Sequence, residues 1–177
     1  MTRAQLEHLI RASGNIADDD EIIVIGSQAI LGQFPDAPSD LLVSVEADVY
    51  PKNKPERADL IDGTIGELSP FHDTFGYYAQ GVGETSAVLP RGWQERLVPV
   101  KNENTGGVTG WCLDAGDLGV AKLVAGRDKD VRFLTSAVAH ALMDVSVLRA
   151  RLALTQLAPE IRDASEVRLA ALARIAG

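Results

Sequence analysis

The chain has 177 residues and a formal net charge of −8, with 46% hydrophobic and 24% charged residues. That length fits one domain, or a compact domain with a helical extension, and the composition excludes a disordered chain. No run of about 18 apolar residues exists to span a bilayer, and the acid surplus disfavours non-specific nucleic-acid binding.

Residues 2–13 read as an amphipathic helix, with Thr2 as N-cap, Leu6, Leu9 and Ile10 on one face, and Gly14-Asn15 as its end. The first residues carry acid and lack an apolar core segment, so no signal peptide is expected. The acid run Asp18-Asp19-Asp20-Glu21 reads as a solvated lead-in to a strand over residues 21–25. Ile22-Ile23-Val24-Ile25 suits burial on both faces.

Gly26 follows, with Ser27 in N-cap position before a helix that begins Gln28-Ala29-Ile30-Leu31. Free N–H groups of a first helical turn, and a glycine that admits close approach, make an anion site; capping alone explains the same pair. After a loop over residues 34–40, residues 41–50 read as the second strand. Side chains alternate along a strand, so Leu42, Ser44, Glu46, Asp48 and Tyr50 share one face. Adjacent carboxylates repel unless a cation sits between them, which suits Mg²⁺, a hard ion that takes one or two carboxylates. The alternative is an exposed polar sheet face.

Gly26-Ser27, a helix and then Glu46-x-Asp48 on the following strand resemble the signature of the polymerase-β-type nucleotidyltransferase superfamily. The resemblance implies an NTP substrate, Mg²⁺ (or Mn²⁺) held by Glu46 and Asp48, and Gly26-Ser27 against the triphosphate. The chain departs from the pattern in a longer interval between Ser27 and Glu46, in Glu as the first acid, and in having no acid over residues 96–100.

Residues 55–61 start a helix with proline in its first turn, and Asp62-Gly63 and Gly66 break it up. Residues 69–78 hold two of the four Phe and two of the three Tyr. They read either as a wall beside a base or substrate or as a small core under a loop, with His72 as an acid–base candidate or a capping group. Short strands are expected over residues 77–80, 85–89, 95–101 and 108–113, the last two as a hairpin. Cys112 is the only cysteine, so no intrachain disulfide can form and a cytoplasmic location is expected.

Asp114-Ala115-Gly116-Asp117 opens a helix over residues 118–125 that Gly126 ends. The run from Asp117 through Lys122, Gly126 and Arg127 to Asp130 resembles a later motif of the AbiEii-type nucleotidyltransferases, and places the chain near an AbiEii-toxin-like, DUF6036-like branch. The resemblance implies that Lys122 reaches the NTP phosphates, that Arg127 and Lys129 add positive charge, and that Asp130 orients the site or acts as a base. Capping and surface charge pairing explain the same residues without chemistry. Residues 131–176 read as helical, broken near Met143-Asp144 and at Pro159. Leu142, Val145, Leu148, Leu152 and Leu157 form one apolar face, and Ile161, Val167, Leu169, Leu172 and Ile175 another. Residues 120–177 hold 9 Lys and Arg against 6 Asp and Glu, whereas residues 1–119 hold 8 against 19.

The expected fold is α+β: a small mixed β-sheet nucleotidyltransferase core over residues 1–135 with flanking helices, and a C-terminal helical bundle over residues 136–177. Two functional readings follow. In the first, Glu46, Asp48, Lys122 and Asp130 catalyse nucleotidyl transfer from an NTP to a hydroxyl of tRNA, another RNA or a protein, with Gly26, Ser27, Lys122 and Arg127 binding the nucleotide. Such proteins act as toxins beside an antitoxin or in defence. In the second, a degenerate member binds nucleotide or a partner protein without turnover. Neither reading involves a membrane.

Overall fold

In the computed structural model, which describes residues 1–176, the chain divides into two compact units. The strand unit takes Met1–Ser86 with Leu97–Leu113, and the helical unit takes Ala87–Arg96 with the chain from Asp114 onward. This is the expected α+β class, with a mixed five-stranded sheet.

The strand unit opens with α1 (Arg3–Ala17). Thr2 caps it through a reciprocal pair: its Oγ1 accepts from the Gln5 N–H at 3.3 Å, and Gln5 Oε1 accepts from the Thr2 N–H at 2.8 Å. The helix passes the expected stop at Gly14-Asn15. A Cβ at Gly14 would lie 2.6 Å from Val108 Cγ2, so glycine serves close packing there. Asp18, in the left-handed region at φ 51°, closes the helix instead.

The strands β1 (Glu21–Val24), β2 (Glu46–Pro51), β3 (Tyr78–Gly81), β4 (Val98–Val100) and β5 (Thr109–Cys112) lie in the order β3-β2-β1-β5-β4. The pairs β1–β5 and β2–β3 are parallel, and β1–β2 and β4–β5 are antiparallel. Registered neighbours point the same way, so Ile22, Val24, Ala47, Val49, Ala79 and Cys112 share one face, and each is completely buried. That face packs under α1, α2 (Ile30–Gln33) and α3 (Ala58–Ile65). Three glycines permit the approach. A Cβ would stand 2.3 Å from Ile10 Cδ1 at Gly110, 2.5 Å from Cys112 Cβ at Gly32, and 1.9 Å from the Ala58 carbonyl at Gly81. The opposite face carries Glu21, Glu46, Asp48, Tyr50, Tyr78 and Trp111.

Several elements are shorter than expected. Residues 41–45 precede the second strand without joining it: Leu41 is buried in a 3₁₀ turn, whereas Val43 is 80% exposed. β1 pairs with Val49–Pro51 and β3 pairs from Glu46, so residues 41–45 have no neighbouring strand in the ladder. Residues 85–89 form no strand. α3 continues through Asp62-Gly63 to Ile65 and stops at Gly66.

The helical unit contains α5 (Ala115–Ala125), α6 (Asp128–Ala139), α7 (Val145–Ala153) and α8 (Pro159–Ala176). Its core includes Leu118, Leu123, Leu134, Leu148, Leu152, Leu169 and Leu172. Three residues expected on the inner face of α8 are outside: Ile161 at 43%, Val167 at 71% and Ile175 at 46% exposure. The buried stripe runs instead through Ser165, Leu169 and Leu172, at helical spacing, which turns Val167 to the far side. Arg91 N–H donates to the Leu154 carbonyl at 3.2 Å, and Arg96 pairs with Asp117, tying residues 87–96 to these helices. Among the described residues no helix is long and apolar enough to cross a membrane.

Candidate active site

Gly26 follows β1 directly, beside β2. The Ile25 N–H donates to the Asp48 carbonyl at 3.0 Å, which extends the pairing of the two strands to the turn. A Cβ on Gly26 would stand 1.8 Å from Asp48 Oδ2 and 2.7 Å from Asp48 Cγ. With φ at −79° the backbone makes no demand for glycine, so the need is space: the Asp48 carboxylate occupies the volume a side chain would fill. Ser27 begins a 3₁₀ turn, Ser27–Ala29, and Gly26 takes the cap position that was expected for Ser27. The helix behind it is only the four residues of α2, so the backbone dipole at this turn is that of a short segment.

Glu46 and Asp48 lie on one face of β2, both half-buried. Tyr78, registered with Glu46 on β3, donates its hydroxyl to Glu46 Oε2 at 3.3 Å. Burial first, and then the negative charges of Glu46, Glu67 and Asp48, push the Tyr78 phenol up to about 12. Two oxygen-donor carboxylates of one sign, separated by a single inward-facing residue and steadied by a neutral hydroxyl, fit a hard divalent cation. Among the described residues no cluster of three or more His, Cys, Asp or Glu side chains forms a protein-only metal cage. A cation held by Glu46 and Asp48 would draw its other ligands from water and substrate phosphates.

The remaining sequence candidates lie in the helical unit. Asp114 caps α5 by accepting from the Gly116 and Asp117 N–H groups. Asp117, completely buried, receives Arg96 through two N–H groups at 2.8 and 2.9 Å, with Arg151 Nε at 3.7 Å. One turn later Lys122 Nζ donates to Asp130 Oδ1 at 3.1 Å and lies 4.4 Å from the centre of the Phe133 ring. Arg127 Nε donates to Asp130 Oδ2 at 2.6 Å. Gly126, left-handed at φ 60°, makes the corner that brings Lys122, Arg127 and Asp130 together. Burial raises the Asp130 pKa, but the Arg127 hydrogen bond and the Lys122 charge outweigh it and hold the carboxyl below its usual range. Lys122 and Asp130 are buried, whereas the Arg127 side chain is 62% exposed.

Two features escaped the sequence reading. Arg168, from α8, lays its guanidinium over Gly126, where a Cβ would be 2.1 Å from Arg168 Cζ, and donates to the Leu123 carbonyl at 2.8 Å. Tyr78 belonged to the aromatic stretch with no assigned partner. The stretch itself splits in two. Phe71, Phe75 and Tyr77 gather around His8 of α1, and Tyr77 Oη lies 2.8 Å from His8 Nδ1. His72 packs against Tyr78 with ring centres 4.6 Å apart and the rings tilted by 49°. Its Nδ1 accepts the Leu68 N–H at 3.1 Å, a contact that commits one ring nitrogen to the backbone.

The acid run after α1 is structural. Asp19 is buried and accepts from the N–H groups of Glu21, Asn53 and Lys54. Asp18 pairs with Lys54 and Arg57. These acids line a polar cavity of about 680 Å³ together with Gly106 and Gly107, around the amino end of β1 and therefore away from Gly26.

Residues 4–174 match the model of a family described as nucleotidyltransferase of unknown function, DUF6036. Comparison with curated proteins and with solved structures gave no match.

Proposed function

The chain belongs to this nucleotidyltransferase family, and from that premise we propose that it transfers a nucleotidyl group from an NTP to a hydroxyl of an RNA or a protein. The observation that carries the proposal is the packing of the Asp48 carboxylate into the space left by Gly26, with Glu46 on the same face. The nearness of Asp48 to Gly26 supports the reading that, as the resemblance implies, this turn faces the triphosphate.

In the reaction, the acceptor oxygen forms a bond to the α-phosphorus, the bond to the bridging pyrophosphate oxygen breaks, and the acceptor proton leaves to solvent or a base. Mg²⁺ or Mn²⁺, when bound, supplies neutralisation of the triphosphate and lowers the pKa of the acceptor hydroxyl. Glu46 and Asp48 would hold that ion. Gly26 leaves room for the Asp48 carboxylate, and Ser27 offers its hydroxyl and backbone to the phosphates. Lys122 and Arg127, which the resemblance assigns to the NTP phosphates, lie in the helical unit and are held there by Asp130. Asp130 serves as the residue that orients both, because its two oxygens are already committed to them. Positioning and electrostatic stabilisation account for most of the acceleration in such a scheme. A toxin or defence role with a cognate antitoxin is the biological setting proposed.

A second reading, a binding module without turnover, is favoured by one observation: β4 is Val98-Pro99-Val100 and contributes no third carboxylate to the sheet. Incubation with each α-³²P-labelled NTP, Mg²⁺ and total RNA or cell protein separates the two. Label transferred by the wild type and lost in Glu46→Gln/Asp48→Asn supports the transferase. Metal-dependent NTP binding without transfer supports the module, and absence of both sinks the metal–nucleotide assignment.

A further inference from the structure

The aromatic stretch over residues 69–78 has no part in the scheme above, yet its last residue touches the candidate metal face. Tyr78 is 7% exposed. A phenol so deeply buried needs a partner for its hydroxyl. The partner it takes is Glu46 Oε2, at 3.3 Å. β3 runs parallel to β2 with Glu46 opposite Tyr78 and Asp48 opposite Gln80, so the phenol stands on the same face as both acids.

The ring is itself held. Ser69 caps α4 (Pro70–Phe75) by accepting from the His72 N–H at 3.1 Å. Gly76, left-handed at φ 74°, ends that helix and returns the chain to β3. This short arch sets His72 against the Tyr78 ring, and the Leu68 N–H fixes the imidazole from behind. Leu68 adopts φ 62°, a conformation uncommon for leucine, and its N–H makes that bond to His72. The segment from Leu68 to Tyr78 is therefore a brace whose far end is a hydroxyl bonded to one oxygen of Glu46.

We propose that Tyr78 is a positioning residue for the divalent cation: its hydroxyl holds Glu46 Oε2 and leaves Oε1 directed to the ion that Glu46 and Asp48 share. The inference rests on the metal assignment made above. A glutamate has one more rotatable bond than the aspartate that commonly stands first in this motif, and so needs an external hold that the shorter side chain does not. Tyr78 supplies it. Outer groups that orient a ligand in this way typically change metal affinity by about 10–100-fold when removed.

The test is a titration of Mn²⁺ followed by its electron paramagnetic resonance signal, with the protein alone and with each of the four α,β-methylene nucleoside triphosphates. Wild type, Tyr78→Phe and Glu46→Gln are compared, and thermal unfolding of each is recorded. Phenylalanine keeps the ring and its packing against His72, so the fold is retained. The expected result is Mn²⁺ binding by the wild type, its loss in Glu46→Gln, and about tenfold weaker binding in Tyr78→Phe at an unchanged unfolding temperature. Equal Mn²⁺ affinity in wild type and Tyr78→Phe, with Glu46→Gln still defective, overturns the positioning role and leaves the metal site standing. No Mn²⁺ binding by the wild type under any of these conditions overturns both.

Discussion

The strand acids and the helical-unit acids are treated in opposite ways by the fold. Glu46 and Asp48 are like charges set on one face of a strand, and the hydrogen bond made to Glu46 comes from a neutral phenol. Asp130 is buried, yet it lies between Lys122 and Arg127 and is held by both. The first arrangement brings two like charges together on one sheet face. The second is complete within the chain. Two like-charged carboxylates on one sheet face are a better candidate for chemistry than a buried carboxylate held by two cations, so the centre of the proposed reaction is β2.

That contrast can be broken by experiment, most sharply by neutralising the strand acids. Glu46→Gln/Asp48→Asn is expected to lower label transfer by about 10³-fold or more, because the proposed ion would supply several kcal/mol of transition-state stabilisation. The same substitution relieves like-charge repulsion and should leave the unfolding free energy within about 0.5 kcal/mol of wild type, or raise it, in a urea titration. A large loss of stability here would make the pair structural and void the contrast.

Asp130→Asn should do the reverse. It removes the Asp130 charge from the buried Lys122 ammonium, and the expected cost is about 3–5 kcal/mol in the same urea titration. A change of under about 0.5 kcal/mol would show that the node is not integral to the helical unit.

Gly26→Ala tests whether space at the turn matters for function more than for folding. The new Cβ meets Asp48 Oδ2 at 1.8 Å, so the carboxylate must swing away. Transfer is expected to fall by about 10²-fold, with a melting temperature within a few degrees of wild type for an effect of about 1 kcal/mol or less.

The smallest effect is in the pH dependence of stability. Asp130, Glu7 and Asp19 are each pushed up by burial, but their hydrogen bonds to Arg127, to Asn104 and to Asn53 outweigh it and leave all three below the ordinary carboxylate range. A carboxyl with a lower pKa in the folded state adds stability that is present above its unfolded pKa, near 4, and is lost as pH falls through the folded value. Urea midpoints should therefore be flat from pH 7 to about 5 and decline below about 4. The decline should be shallower in Asp130→Asn. Midpoints that rise on acidification would contradict the direction of these shifts.

Much of this was readable from the residues. Period-two alternation put Glu46 and Asp48 on one face, and the resemblance singled out Lys122, Arg127 and Asp130, though not their pairing with one another. What could not be read were contacts made by sheet register and by distant helices. Tyr78 meets Glu46 only because β3 runs parallel to β2 in a particular register, which no local pattern encodes. Arg168 reaches Gly126 from α8, and nothing in the run around either residue names the other. The shortened second strand has the same origin. Residues 41–45 have strand-like side chains, but a strand needs a neighbour, and the topology provides one only from Glu46 onward. Glycines misled where they fit a crowded contact rather than end a helix, as at Gly14.

The sheet order has a consequence for how the protein is made. β1 is the central strand, and its parallel partner β5 is the last strand of the chain to be synthesised. At roughly 5–20 residues per second, the interval between the emergence of Val24 and of Thr109 is on the order of ten seconds. For that time the nascent chain carries Ile22-Ile23-Val24 with one edge open, an apolar β-branched template for any passing strand. Translation speed across residues 25–108, and chaperone access to that edge, are therefore expected to bear on yield.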